Sequence, residues 1–135
     1  MNQNPPLRIA LIEDARGDVR WFRLVLGEAG IPHELTVYAA GNSALDCFRR
    51  NPPPDLIVSD WGLPAMEFSE FMQAVRAIPA YESTPVAVFT GIADPIRGQA
   101  IALGAICCFE KPVSVEQLRN LLRRIWPTTA PSIDI

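Results

Sequence analysis

The chain has 135 residues, of which 49% are hydrophobic and 20% are charged. This length and this balance predict one globular domain with a substantial core, and they argue against a disordered chain. The formal net charge of −3 does not favour a nucleic-acid surface, which needs a basic face to neutralise phosphates. No apolar run approaches the length that spans a membrane.

The cysteines and the first residues indicate a reducing compartment. Cys47, Cys107 and Cys108 are an odd set without the C-x-x-C spacing of metal or redox sites, so we expect reduced thiols. The first six residues, Met1 to Pro6, lack the basic and apolar regions of a signal peptide. The sequence therefore predicts a cytoplasmic protein.

The first half of the chain alternates short apolar runs with helical periodicities. Val19, Phe22, Leu26 and Ala29 recur at the spacing of one helix face, and Gly30 suits the residue that follows a helix end. In chain order, the predicted elements are a strand over 7–12, a helix over 18–29, a strand over 34–39, a helix from a cap at Asn42 to residue 50, and a strand over 56–59 that Asp60 follows.

The second half continues the alternation with clear helix boundaries. Asp94 followed by Pro95 is typical of a helix start, and Ser114 with Gln117 three residues later predicts a capping box. Pro127 cannot continue a helix, so Trp126 is its predicted last residue. The elements of this half are a helix over 67–77, a strand over 85–89, a helix from 94 to about 104, a strand over 105–109, and a helix over 115–126.

Five strands that alternate with five helices predict an α/β fold, a doubly wound parallel sheet covered on both faces. In such folds ligands bind at the carboxyl ends of the strands. Three acids, two after the first strand and one closing the third, would meet there and repel one another unless a cation lies between them. Such hard oxygen ligands favour Mg²⁺. The polar residues at this edge are Glu13, Asp14, Asp60, Thr90 and Lys111.

These residues also match a known family in their order along the chain. The set Glu13-Asp14, Asp60, Thr90-Gly91 and Lys111-Pro112 closely resembles the receiver domain of bacterial two-component response regulators. The resemblance covers residues 7–126 and leaves residues 1–6 and 127–135 as terminal tails. It implies a flavodoxin-like fold, with a five-stranded parallel sheet in the order 2-1-3-4-5 and five helices.

The resemblance also implies a role for each residue at the edge of the sheet. Asp60 would accept a phosphoryl group, and Thr90 and Lys111 would contact that group. The Lys111-Pro112 bond would be cis, which is chemically accessible because it precedes proline. Mg²⁺ would be the cofactor, and its implied ligands are Asp14, Asp60, the backbone carbonyl of Gly62 and, mostly through water, Glu13.

The implied function is that of a stand-alone receiver, without enzyme activity beyond self-phosphorylation and autodephosphorylation. Its partner would be a sensor histidine kinase or a phosphotransfer protein. It would signal through contacts with a target protein that the sequence does not identify. Neither nucleic acid nor a membrane is an expected partner, and whether the chain forms a homodimer is left open. Residues 12–19 and 32–35 also resemble single-domain regulators that pair with phytochrome-type sensor kinases.

Several positions depart from the family pattern, and the one that bears most on output is position 108. Three residues before Lys111, where the family usually has a mobile aromatic residue, this chain has Cys108. Phe109 follows, but alternate side chains of a strand point to opposite faces, so Phe109 cannot replace the aromatic. If that position faces a surface, Cys108 would react with a thiol reagent before Cys107. The departure leaves the phosphorylation chemistry intact and puts the usual output in doubt.

Other interpretations remain beside the phosphorylatable receiver. Taken singly, Glu13 and Asp14 fit the acidic first turn of a helix, and Lys111 fits a solvated surface charge. The main alternative function is a protein-interaction module that has this fold and works without phosphorylation. A haloacid-dehalogenase-type phosphatase would need an acid where Gly62 stands. A flavodoxin would place a phosphate where Glu13, Asp14 and Asp18 repel it, so both are disfavoured.

Overall fold

The computed structural model describes residues 5–125. The predicted tails lie largely outside this range, and so does Trp126, the predicted last residue of the final helix. Within the described range there are five strands and five α-helices, joined mostly by short loops. The strands are β1 (Leu7–Ile12), β2 (His33–Tyr38), β3 (Leu56–Asp60), β4 (Val86–Thr90) and β5 (Cys107–Glu110). The α-helices are α1 (Arg16–Ala29), α2 (Gly41–Phe48), α3 (Phe68–Arg76), α4 (Arg97–Ala102) and α5 (Val115–Ile125).

The five strands form one parallel sheet in the order β2-β1-β3-β4-β5. This order confirms the predicted flavodoxin-like topology. It also places β1 beside β3, with Ile12 opposite Ser59. The residues that follow Ile12 and the last residue of β3 therefore emerge at the same edge of the sheet.

Helices cover both faces of the sheet, and each face has its own apolar cluster. One cluster, under α2, α3 and α4, includes Phe71 and Ile57, and the other, under α1 and α5, includes Phe22 and Val58. Neighbouring residues of β3 thus enter different clusters, as expected for a strand buried on both sides. The central strands β3 and β4 are buried along nearly their whole length.

Two helix ends match the predicted capping. Gly30 directly follows α1 and has a φ of 71°, a left-handed conformation that favours glycine. At the start of α5, the backbone N–H of Gln117 donates to the Ser114 hydroxyl at 3.1 Å, and the Ser114 N–H donates to the Gln117 side-chain oxygen at 3.0 Å. This reciprocal pair is the predicted capping box.

The start of α4 differs from the prediction. The helix begins at Arg97 instead of following directly from Asp94 and Pro95. The Asp94 carboxylate accepts a hydrogen bond from the Arg97 guanidinium at 2.7 Å instead of capping a helix. Residues 94–96 form a turn in which the N–H groups of Ile96 and Arg97 donate to the Ala93 carbonyl at 3.1 and 2.8 Å, and the N–H of Ala93 donates to the Glu110 carboxylate at 3.1 Å. Asp94 and Pro95 thus lie in a turn that leads into α4, and the regular helix begins two residues after Pro95.

Smaller differences concern α2 and β5. Asn42 does not cap α2, whose N-cap residue is Ala40. β5 begins two residues later than predicted because Ala105 still donates its N–H to the Ala100 carbonyl in the turn that ends α4. No helix within residues 5–125 is long and apolar enough to cross a membrane.

Candidate functional site

Three carboxylates meet at the carboxyl edge of the sheet. Glu13 and Asp14 follow β1, and Asp60 is the last residue of β3. One oxygen of each carboxylate lies within 4.8 Å of the other two. Glu13 is buried, Asp60 is half-buried and Asp14 is exposed. The cluster therefore opens to solvent on the side of Asp14, and its oxygen donors suit a divalent cation that keeps some water ligands.

Glu13 is the buried anchor of this cluster. One of its oxygens accepts the backbone N–H of Ala15 at 3.1 Å, and the other accepts the Lys111 ammonium at 2.6 Å. Burial raises the pKa of Glu13, and the hydrogen bonds from Lys111 and Ala15 partly oppose this rise. The side chain is thus fixed at both oxygens, and its charge depends on nearby cations.

Lys111 lies at the centre of the acids. Its Nζ is 2.6 Å from Glu13, 2.9 Å from Asp18 and 3.3 Å from Asp60. Burial alone would lower the pKa of Lys111, but the hydrogen bonds to Glu13 and Asp18 and the charge of Asp60 raise it above its ordinary value. Lys111 therefore stays cationic and offsets part of the local negative charge.

The backbone around Lys111 fixes its position. The Lys111 N–H donates to the carbonyl of Thr90 at 2.7 Å, and this bond ties the end of β5 to the end of β4. The peptide bond between Lys111 and Pro112 is cis, as predicted. The chain turns here towards α5 and leaves the lysine side chain at the edge of the sheet.

The structure also places the other two predicted residues at this edge. Thr90 is the buried last residue of β4, and its hydroxyl oxygen accepts the N–H of Ile92 at 3.4 Å. Gly62 is exposed in the loop after β3, with open space where a side chain would be. The edge thus holds all the residues that the sequence pointed to.

Asp18 is a part of this site that sequence reasoning missed. It lies in the first turn of α1, and its carboxylate makes an ion pair with Lys111. From the sequence, Asp18 was interpreted only as one of the acids that would repel a phosphate. Its position four residues after Asp14, in the helix that follows β1, was a usable signal because that turn begins at the same edge of the sheet.

A cleft of about 290 Å³ lies beside the lysine, between α1 and the loop that precedes α5. Phe22 and Phe89 form part of its apolar wall, with ring centroids 5.5 Å apart. Trp21 lines the same cleft, and its indole N–H donates to the Val113 carbonyl at 2.8 Å. α1 therefore contacts the segment around Lys111 through both Asp18 and Trp21.

Position 108, where the chain departs from the family pattern, is buried. Cys108 belongs to the cluster under α2, α3 and α4, whereas Phe109 packs on the opposite side, 5.5 Å from Phe89 between ring centroids. The prediction that Phe109 points to the opposite side of the strand is confirmed. The condition under which Cys108 would react before Cys107, that its position faces a surface, is not met, because Cys108 is 3% exposed and Cys107 is 8% exposed. The carbonyl of Cys108 accepts the Arg97 guanidinium at 3.3 Å.

Comparison with known proteins gives consistent matches. The family model described as the response regulator receiver domain matches residues 9–123. Response regulator Rcp1 from Synechocystis sp. is 32% identical over 93 aligned residues, and the match covers 64% of this chain and 63% of that protein. This chain therefore spans less than two thirds of the length of that relative.

Solved structures extend the similarity to the fold. The bacteriophytochrome response regulator RtBRR has a TM-score of 0.80 and 25% identity, over 94% of this chain and 82% of that chain. The Mn²⁺-bound form of response regulator Rcp1 has a TM-score of 0.71 and 25% identity, over 93% of this chain and 98% of that chain. Residues 9–123 are most of this chain and include the acids and the lysine at the edge of the sheet. The chain thus belongs to the response regulator receiver domain family.

Proposed function

We propose that this chain is a phosphorylatable receiver whose phosphoacceptor is Asp60. The observation that carries the proposal is the meeting of Asp60, Glu13 and Asp14 within 4.8 Å, with the Lys111 ammonium 3.3 Å from Asp60. Phosphoryl transfer depends mainly on positioning and on neutralising charge. This arrangement supplies a carboxylate nucleophile, a cation and a cluster of oxygen ligands in one place.

The donor set fits a divalent cation, and we propose Mg²⁺. Asp14 and Asp60 would hold it together with the carbonyl of Gly62, and Glu13 would act mostly through water. The bound ion would let the anionic carboxylate of Asp60 approach an anionic phosphoryl group. The Rcp1 structure with Mn²⁺ supports such a site by homology. The exposed side of the cluster at Asp14 gives the ion a route from solvent.

Three residues of this chain would then have separate roles in the transfer. Asp60 forms the bond to phosphorus through a carboxylate oxygen, and the donor's leaving group departs with the bonding electrons. Lys111 donates hydrogen bonds to phosphoryl oxygens as a compact charge on a flexible stem. Thr90, at the neighbouring strand end, donates its hydroxyl hydrogen to another oxygen. After transfer the edge carries new negative charge, which can bias the loops around it.

The donor of the phosphoryl group would be a sensor histidine kinase or a phosphotransfer protein. The similarity to the bacteriophytochrome response regulator RtBRR favours a phytochrome-type kinase. Three free cysteines among the described residues suit the reducing cytoplasm. We propose residues 7–126 as the receiver unit, acting through protein contacts.

A module that works without phosphorylation is the second candidate. The observation that favours it is the small, buried Cys108, whose movement would cover or uncover little surface. In this alternative the acids are kept and the response to phosphorylation is lost. Labelling with a small phosphodonor separates the two candidates.

The test is incorporation of a phosphoryl group from acetyl phosphate, measured by intact-protein mass spectrometry with Mg²⁺ and with a chelator. We expect one added group with Mg²⁺ and none with the chelator. Asp60→Asn should remove the labelling. Asp46→Asn should keep it, because Asp46 is an exposed acid on α2 that pairs only with Arg49 among the described contacts. Equal labelling of the Asp60→Asn variant would refute the assignment.

A further inference from the structure

The ammonium group of Lys111 has no donor left for a phosphoryl oxygen. A lysine ammonium has three N–H donors, and Lys111 directs them to carboxylate oxygens of Glu13, Asp18 and Asp60. The proposed function requires Lys111 to bind the phosphoryl group. One of the three acids must therefore release the ammonium when that group arrives.

The burial of the three acids indicates which one leaves. The side chain of Glu13 is 4% exposed, that of Asp60 is 18% exposed, and that of Asp18 is 44% exposed. A buried carboxylate that loses its cation keeps a large desolvation cost, whereas an exposed one is hydrated at once. Asp18 is thus the partner that Lys111 can give up most readily.

The set of acids that could share a cation also indicates that Asp18 is the partner Lys111 gives up. The carboxylates that could share a cation are those of Glu13, Asp14 and Asp60. Asp18 is outside that group and belongs to α1. Within residues 5–125 its one ion pair is with Lys111 at 2.9 Å, so a cation bound by the cluster would not replace this contact.

We propose that Asp18 is a positioning residue that competes with the phosphoryl group for Lys111. In the free protein Asp18 holds the ammonium, and on phosphorylation a phosphoryl oxygen takes its place while Asp18 turns to solvent. The inference rests on the proposed function, since it needs Lys111 to contact the phosphoryl group. Asp18 would lower the affinity of the site for that group and so limit how much phosphorylated protein accumulates.

The test uses beryllium fluoride with Mg²⁺, a non-covalent mimic of a phosphoryl group on a carboxylate. The dissociation constant of the mimic is measured for the full chain by calorimetry, at a Mg²⁺ concentration that saturates each variant. Asp18→Asn keeps the shape of the side chain and removes its charge. Because a partly exposed ion pair is weak, we expect this variant to bind the mimic about two- to fivefold more tightly.

Two further variants serve as controls. Asp18→Glu restores the charge and should return the dissociation constant to near the value of the unmodified protein. Asp46→Asn makes the same charge change at an exposed acid of α2 that pairs with Arg49, and it should leave the dissociation constant unchanged. A merely structural role for Asp18 predicts weaker binding when it is replaced, which is the opposite direction.

The outcomes distinguish a failure of the proposed function from a failure of the role of Asp18. If the unmodified protein binds no mimic in the presence of Mg²⁺, the proposed function fails and this inference fails with it. If the unmodified protein binds the mimic but Asp18→Asn binds it equally or more weakly, only the role of Asp18 is overturned. Tighter binding that is reversed by Asp18→Glu and absent in Asp46→Asn establishes the competition.

Discussion

At the scale of single residues, the acidic edge has an excess of negative charge. Glu13, Asp18 and Asp60 each contact the single ammonium of Lys111, and Asp14 adds a fourth carboxylate beside Glu13 and Asp60. Asp14 is the exposed one of the three clustered acids. Its charge repels the other carboxylates in the free protein, and it becomes favourable only when a cation binds. The site is thus arranged for a ligand at some cost in stability.

The first prediction follows from this repulsion. Asp14→Asn should raise the free energy of unfolding without Mg²⁺ by about 0.5 to 1 kcal/mol, because it removes one like charge from a partly exposed cluster. The same variant should lose most of the further stabilisation that Mg²⁺ gives the unmodified protein. Urea unfolding with and without Mg²⁺ measures both effects. Destabilisation without Mg²⁺ would contradict the prediction.

The second prediction concerns pH and Cys107. Burial raises the pKa of this thiol from 9.0 to about 11. Above pH 9 the unfolded chain loses the thiol proton while the folded protein keeps it, so stability falls as pH rises towards 11. Between about pH 8 and about pH 10 the loss from this group is about 1 kcal/mol.

Replacing Cys107 by valine isolates this contribution. Cys107→Val changes stability at both pH values through packing, but its own loss between about pH 8 and about pH 10 should be smaller than that of the unmodified protein by about 1 kcal/mol. Urea unfolding at the two pH values gives the difference. Identical pH dependence in the two proteins would show that Cys107 does not carry the effect.

At the scale of elements, β5 has one feature that the sequence predicted, the alternation of its side chains, and one that it did not, the burial of Cys108. Its alternation was predictable from the sequence, since neighbouring strand residues point to opposite faces. The burial of Cys108 was not, because it depends on how α4 covers the strand and on the Arg97 contact to the Cys108 carbonyl. The contacts at the start of α4 were not predictable either, since Ala93 donates its N–H to Glu110 and Asp94 accepts a hydrogen bond from Arg97.

The third prediction replaces the order of thiol reactivity that the sequence suggested. Cys47 on α2 is half-buried, whereas Cys107 and Cys108 are buried. Alkylation of the native protein should therefore label Cys47 first, and the two β5 thiols should react only as the protein opens. Timed labelling with peptide mapping measures the order. Early labelling of Cys108 would contradict the prediction, because it would show that the Cys108 thiol is more accessible to the reagent than its burial in the structure indicates.

The fourth prediction concerns α1. Asp18 and Trp21 lie three residues apart and contact Lys111 and the Val113 carbonyl, respectively. If the phosphoryl group displaces Asp18, the environment of Trp21 should change. Tryptophan emission should therefore respond to beryllium fluoride with Mg²⁺, and Trp21→Phe should remove most of the response. An unchanged response in that variant would place the signal elsewhere, such as at Trp61.

At the scale of the whole molecule, the sequence predicted the order of elements and the edge where the chemistry lies. Alternating strands and helices were sufficient to predict a parallel sheet, and the ends of its strands were sufficient to predict where Glu13, Asp60 and Lys111 meet. The sequence did not predict that Asp18 shares the lysine. The sequence position of Asp18 places it near the same edge of the sheet, but it does not show the contact with Lys111, which joins α1 to the loop after β5 across 93 residues.

The central claim is that Asp60 carries the phosphoryl group. Acyl phosphates are reduced by borohydride, which converts a phosphorylated aspartate to homoserine and marks its position permanently. After acetyl phosphate treatment with Mg²⁺, peptide mapping should find homoserine at position 60 and aspartate at positions 14 and 18. Homoserine at position 14 or 18, or aspartate at position 60 in protein shown to be phosphorylated, would contradict the account.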